Sequence, residues 1–233
     1  MEIVKERLDA LTNGEVTLDK GSHGSFESGH CAMEVVSWLA GLGFTDAPEC
    51  ASPVLRSYTI SVNDQWGHEQ RQKLIPFLPR MVGTAGDGQD EARSYLALDW
   101  LVRTYTPAWL DLAGLTVEAQ ELRDLRRIVD MVAASEAGPV VRGAQKKADA
   151  AWAAAGAAAW AAAGAAARAA AGAAAWAAAG AAAGAAAWAA AGAAARDAAG
   201  AAARDALTPT VETLQASALD LLDRMIDPSK AVV

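Results

Sequence analysis

The chain has 233 residues, 53% of them hydrophobic, and a formal net charge of −8. That charge sits in residues 1–140, where 21 acidic side chains face 12 basic ones, whereas residues 141–233 carry 7 and 8. An acidic first part argues against nucleic-acid binding, which needs cations to displace phosphate counterions, and two cysteines are too few for a disulfide framework.

The opening MEIVKERLDAL is charged and amphipathic, unlike a signal peptide, so a cytoplasmic location is expected. Residues 2–11 read as a short helix with Ile3, Val4, Leu8 and Leu11 on one side, ended by Asn13-Gly14. Residues 15–18 read as a brief strand or extended chain, and 19–29 as a polar Gly/Ser loop. The run CAMEVVSWLAGL over 31–42 is apolar and helical. Ser52-Pro53 is a cap followed by proline at the first helical position, and opens a helix to about Asp64. Residues 69–78 form a helix interrupted by Pro76 and Pro79, and MVGTAGDGQD follows as a loop.

Residues 90–105 are the clearest amphipathic helix, with Tyr95, Leu96, Leu98, Leu101 and Val102 expected inward. Thr106-Pro107 starts a short helix through Leu112, and Thr116 caps another to Ala134. Trp38, Trp66, Trp100 and Trp109 are available as core anchors. The β-branched alternation of a sheet is missing, so the expected fold class is all-α. Ala137-Gly138-Pro139 is read as a boundary. The expected organisation is a compact helical domain over 1–138, an Ala-rich arm over 139–206, and an amphipathic helix and tail over 207–233.

From Trp152 to Arg204 every fourth residue is Trp, Gly or Arg, and the residues between are Ala apart from Asp197. Alanine is the strongest helix former, so 144–206 reads as one long helix, a rod or a hairpin. Four residues advance a helix by about 400°, so the stripe drifts about 40° per step. Trp152 and Trp188 share a face, but Trp160 and Trp176 do not, and no single flat partner buries all four. Seven glycines lie in the run, each costing roughly 1 kcal/mol against alanine. That disfavours a lone rod and favours close helix approach. The pattern is nearly symmetric about Ala182, with Gly180 opposite Gly184 and Trp176 opposite Trp188. An antiparallel pair or a hairpin would place like beside like. Trp, Gly and Arg can share codons that differ in one base, so expansion of a twelve-base repeat accounts equally for the residue identities.

Residues 169–195 carry no charge but lack the strongly inserting Leu, Ile, Phe and Val, so no membrane span is expected. After Thr208-Pro209, the residues Leu207, Val211, Leu214, Leu221 and Met225 form a stripe suited to docking or a coiled coil, and Pro228 stops the helix. Self-association is therefore assigned to this stripe together with Trp152, Trp160, Trp176, Trp188, Gly180 and Gly184. The expected partner is a second copy, or the chain's own hairpin.

Chemistry-bearing residues gather in GSHGSFESGHCAME. His23, His30, Cys31 and Cys50 would make a four-ligand zinc set, but no ligand spacing supports it, and neither a metal nor a cofactor is expected. His30 beside Cys31 suggests a thiol and base, yet neighbours on a helix start point apart. No catalytic residue is assigned. Asn63, Asp64 and His68 flank Trp66 between two helices, and with His23, His30 and Glu34 they are the candidate small-molecule ligand residues. The glycines of MVGTAGDG lack the spacing and the Lys-Ser/Thr of a phosphate loop.

CAMEVVSWLAG, IPFLPRMVGT, RSYLALDWLVRTYTPAWLDLAGL and LTPTVETLQASALDLLDRMI together resemble a group of uncharacterised actinobacterial and actinophage proteins. Those proteins also carry AAAW, AAAG and AAAR repeats before a similar last helix. A weaker likeness, confined to the Ala-rich part, is to the immunity-protein-5-like domain. The resemblance implies a helical fold and, if the chain is phage-encoded, the cytosol of a bacterial host. It implies no activity. The first expectation is a non-enzymatic helical interaction or structural protein. The alternatives are a phage-type protein that binds or sequesters a nucleotide signal, and a metal- or thiol-dependent enzyme using the 23–34 loop.

Overall fold

The computed structural model describes residues 2–151, 153–154 and 205–231. Every regular element among them is helical, so the chain is all-α. The chain order is α1 (Lys5–Thr12), a 3₁₀ turn (Phe26–Ser28), α2 (Ala32–Leu39), α3 (Pro53–Gln65), α4 (His68–Gln72), a 3₁₀ turn (Ile75–Phe77), α5 (Leu78–Met81) and α6 (Asp90–Trp100). A π turn (Leu101–Tyr105) then leads into α7 (Thr106–Leu112), followed by α8 (Thr116–Asp124), α9 (131–151), α10 (205–226) and a 3₁₀ turn (Pro228–Ala231).

Local signals explain most of these limits. Ser52 Oγ accepts from the N–H groups of Val54 and Leu55, and Pro53 takes the first helical position of α3. Gly14 ends the turn after α1 at φ +79°, where a side chain would be strained. Pro76 and Pro79 divide the expected 69–78 helix into α4, the 3₁₀ turn and α5. Residues 15–18 are extended without a partner strand. Val16 and Leu18 are buried and Thr17 is exposed, and the Gln72 amide takes the neighbouring strand's place. Its Oε1 accepts from Leu18 N–H at 2.8 Å, and its Nε2 donates to the Leu18 carbonyl at 2.9 Å.

The chain divides into two compact units. The first comprises Met1–Leu101, Arg126–Ser135 and Ala216–Val233. Residues 32–37 of α2 are all buried, so it is the central helix, mostly apolar but carrying Glu34 and Ser37 into the interior. Around it lie Leu11, Leu18, Leu55, Leu74 and Met81, together with Leu221, Leu222 and Met225 of α10. Trp38, Trp66 and Trp100 pack against this core without being fully buried. The second unit comprises Val102–Leu125 and Glu136–Gln215. In its described part α7 and α8 form a helical hairpin turning at Gly114 (φ +75°), with Leu110, Ala119 and Leu122 buried.

Several sequence expectations are corrected. The helix from Thr116 ends at Asp124 rather than Ala134. Ile128 N–H is drawn instead to Asp99 Oδ1 at 2.8 Å, and Asp130 restarts the chain by accepting from Ala133 N–H at 2.7 Å. The expected boundary at Ala137-Gly138-Pro139 lies inside α9. Leu101, expected inward, is 45% exposed, because the face of the helix that meets the core runs through Arg93, Leu96, Ala97 and Trp100. Arg93, on the same helix, is fully buried. Leu221 and Met225, assigned to self-association, are 0% exposed within the first unit's core. The Ala-rich arm beyond residue 154, with Trp152, Trp160, Trp176, Trp188, Gly180 and Gly184, lies outside the described residues. The rod or hairpin expected there does too.

Candidate functional site

Five of the six expected ligand residues lie along the loop 19–30 and the helix starts and ends it touches. Glu34 is the centre. It is the third residue of α2, and its side chain folds back on the helix start, where unpaired N–H groups point. Its Oε2 accepts from Cys31 N–H at 2.7 Å, and its Oε1 accepts from His23 N–H at 2.6 Å. The His23 ring Nδ1 lies 2.9 Å from Oε2. Glu34 is 1% exposed. Burial alone would raise its pKa. The N–H groups of His23 and Cys31 and the His23 ring outweigh that effect and hold the carboxyl below the ordinary glutamate value.

Asn63 closes the other side from α3. It is fully buried, and its Oδ1 accepts from Ala32 N–H at 3.2 Å, a second unpaired donor of the α2 start. Its Nδ2 donates to the Asp19 carbonyl and to Asp64 Oδ1, both at 2.9 Å. Asp64 Oδ1 also accepts from Gly21 N–H at 2.9 Å. Gly29 adopts φ +119°, and a Cβ there would stand 2.8 Å from the His23 ring and 3.1 Å from Asp19 Oδ2. The loop therefore needs glycine at this point on two counts, backbone angle and space.

His30 belongs to the corner by another route. Its ring stacks on Phe26 (4.2 Å between centroids, 8° between planes), and Phe26 stacks on Trp38 at 4.7 Å. The Arg7 guanidinium carbon lies 5.5 Å from the Trp38 ring centroid, which extends the stack with a cation. His30 Nδ1 lies 3.2 Å from the Phe26 carbonyl. His68 stands apart: it is exposed at the start of α4, and none of the hydrogen bonds closing the corner comes from it.

Cys31 is buried and free. Burial, reinforced by the Glu34 charge, pushes its thiol up to about 12, so the reactive thiolate is suppressed rather than prepared. Cys50 is likewise buried, with its pKa raised by burial. Among the described residues no group of three or more His, Cys, Asp and Glu is placed to hold a metal ion. No described helix is long and apolar enough to cross a membrane.

Apart from His30 Nε2, a buried ring nitrogen without a hydrogen-bond partner among the described residues, the groups in this corner are committed to one another and to main chain. Its chemistry is that of a loop clasp, in which a buried carboxylate and a buried amide satisfy the start of the core helix. Two features here were not anticipated from the sequence. Asp19 takes part through its main chain, and Gly29 through its conformation. The sequence did contain one signal for the clasp: Glu three residues after Cys31 has capping-box spacing. A separate shallow groove of about 500 Å³ in the first unit is lined by Tyr58, Ser57, Ser61, Ala97 and neighbouring side chains, with no charged group. No family model matches the chain, and neither does any curated protein or solved structure.

Proposed function

We propose that the chain is a non-enzymatic helical interaction protein in which a folded head carries the Ala-rich segment, and that this segment mediates self-association. The observation that carries this reading is the state of the reactive groups. Glu34 is spent on two N–H groups and His23, and Cys31 is a suppressed core thiol. The same geometry weighs against an enzyme built on the 23–34 loop. It also weighs against a nucleotide signal, since the N–H donors a phosphate would need are already taken by the carboxylates of Glu34 and Asp64.

Of the stripe on α10, the core-buried Leu221 and Met225 are unavailable, while Leu207 remains 36% exposed and Val211 is half-buried. Contacts between copies therefore fall to the Ala-rich segment and the first turns of α10. Sedimentation velocity on the full chain tests this over a hundredfold dilution series. The expected result is a mass at least twice the 24.0 kDa of one chain, falling on dilution. A 24.0 kDa species at every concentration overturns the reading. A thermal-shift panel of nucleotides belongs in the same experiment, with no shift expected and a saturable shift favouring the sequestering alternative.

A further inference from the structure

Arg93 on α6 is 0% exposed, although its guanidinium is charged. One edge of its planar fork faces the loop before α6. Nη2 and Nη1 reach the two carboxylate oxygens of Asp87 at 2.5 and 2.7 Å, and Nη1 also reaches Asp90 Oδ1 at 3.1 Å. The other edge faces α10: Nε donates to the Met225 carbonyl at 2.9 Å. That carbonyl belongs to the last turn of α10, where main-chain oxygens have no partner within the helix. One rigid group therefore satisfies a loop and a helix end that are 138 residues apart in the chain.

The loop has little else to shape it. Gly83, Gly86 and Gly88 all adopt positive φ, and a Cβ at any of them would meet nothing within 4 Å. Residues 85–89 are exposed. Besides the Asp87 pair, its ties include the N–H groups of Gly83 and Ala85 on the Cys50 carbonyl, Gln89 N–H on Asp87 Oδ1, Arg93 Nη1 at 3.4 Å from the Thr84 carbonyl, and Thr84 Oγ1, which donates to the Met81 carbonyl and accepts from Ser52 N–H. Other polar ties between α10 and the described residues of the first unit are neutral or exposed. Tyr58 OH donates to the Ala218 carbonyl, and Trp100 Nε1 donates to Ser217 Oγ, each at 3.0 Å. The Arg80–Asp223 pair is more than a third exposed on both sides and is screened by solvent.

We propose that Arg93 is a latch that couples the glycine loop 83–89 to the seating of α10. When Asp87 lets go, the guanidinium loses its bidentate counter-charge and keeps only the longer contacts to Asp90 Oδ1 and the Thr84 carbonyl. It is then free to turn toward the partly exposed loop side, which withdraws Nε from Met225. When α10 leaves, water reaches Arg93 and the constraint on Asp87 falls. The coupling is reciprocal, as any linkage between two binding events must be. Release uncovers Leu221, Leu222 and Met225, all 0% exposed when docked.

Hydrogen exchange on the full chain, read by mass spectrometry, tests the latch. Asp87→Asn, nearly isosteric, is expected to speed exchange of amides 217–226 at least tenfold while the core helix α2 keeps its wild-type rate. Gly86→Ala touches none of the Arg93 partners but strains the loop, and it is expected to act on the same amides to a smaller degree. In the other direction, Leu222→Asp is expected to speed exchange at Gly83 and Ala85. Wild-type rates at 217–226 in both loop variants overturn the latch. So does equal acceleration of α2 and α10, which would mean global loosening instead of a coupled release.

Discussion

Glu34 and Arg93 are two charges that the first unit has taken out of water, and they are compensated in different ways. Glu34 is satisfied within its own neighbourhood, by N–H groups 3 and 11 residues away and the ring of His23. Arg93 is satisfied partly by carboxylates 3 and 6 residues away and partly by a carbonyl 132 residues away. The first arrangement orders a loop and starts a helix. The second gathers segments that nothing local would bring together. A buried charge that caps can form with its element, whereas a buried charge that bridges exists only in the finished fold.

The largest expected effect is at Arg93. Arg93→Met keeps most of the volume and removes every donor, leaving the Met225 carbonyl, and the Thr84 carbonyl 3.4 Å from Nη1, short of partners and Asp87 unpaired. A loss of about 2–3 kcal/mol is expected, the upper range for hydrogen bonds to charged groups, because Asp87 and Asp90 stay partly in water once the arginine is gone, and urea unfolding followed by Trp fluorescence measures it. Glu34→Gln is expected to cost about 2 kcal/mol in the same assay, because an amide NH₂ then faces donors that had a carboxylate oxygen.

The two centres also share a pH signature. The carboxyls of Glu34 and Asp87 are both held below their ordinary values: Glu34 against burial by its hydrogen bonds, Asp87 chiefly by its hydrogen bonds from Arg93. A depressed folded-state pKa contributes stability that is complete above the unfolded-state value and is lost as pH falls through the folded one. Acid should therefore destabilise the wild type, and urea midpoints between pH 6 and 3 should fall less steeply in Glu34→Gln. An unchanged slope in that variant would remove Glu34 from the acid response.

Gly29→Ala is expected to cost about 1–2 kcal/mol, from the positive φ and the approach to His23, and thermal unfolding reads it. Tyr58→Phe, which loses one hydrogen bond to the Ala218 carbonyl, should cost about 1 kcal/mol. Its effect belongs to the bridging side of the comparison, so it should appear in exchange at α10 before it appears at α2.

The residues of the candidate site were legible because polar groups stand out beside apolar helices, and the Glu34 half of it is local, while the Asn63 and Asp64 half reaches 31 to 44 residues along the chain. His23, His30 and Glu34 were named from a polar stretch beside an apolar helix and Asn63 and Asp64 from their place beside Trp66, and the structure draws the two sets to one corner. His68 was included by proximity to Trp66 in the chain, but the turn into α4 leaves it in solvent. Arg93 was passed over because it lies among charged and polar neighbours in DEARSYLALDW, where an arginine ordinarily faces water. The stripe of α10 was seen correctly as apolar and misassigned as to partner. Periodicity shows that a face must be covered and is silent on what covers it.

By itself the sequence determined the all-α class, the start of α3 at Ser52-Pro53, the fragmentation around Pro76 and Pro79, and the stop at Pro228. These follow from forces within a turn or two of the residue: caps, fixed proline angles and the conformational freedom of glycine. Tertiary structure alone decided that α2 is the central helix, that the chain breaks after Asp124 and restarts at Asp130, that α10 completes the first unit's core, and that Arg93 is buried. Each of these depends on a partner distant in the chain, and burial is decided by the whole set of neighbours that excludes water, which no short window of sequence contains.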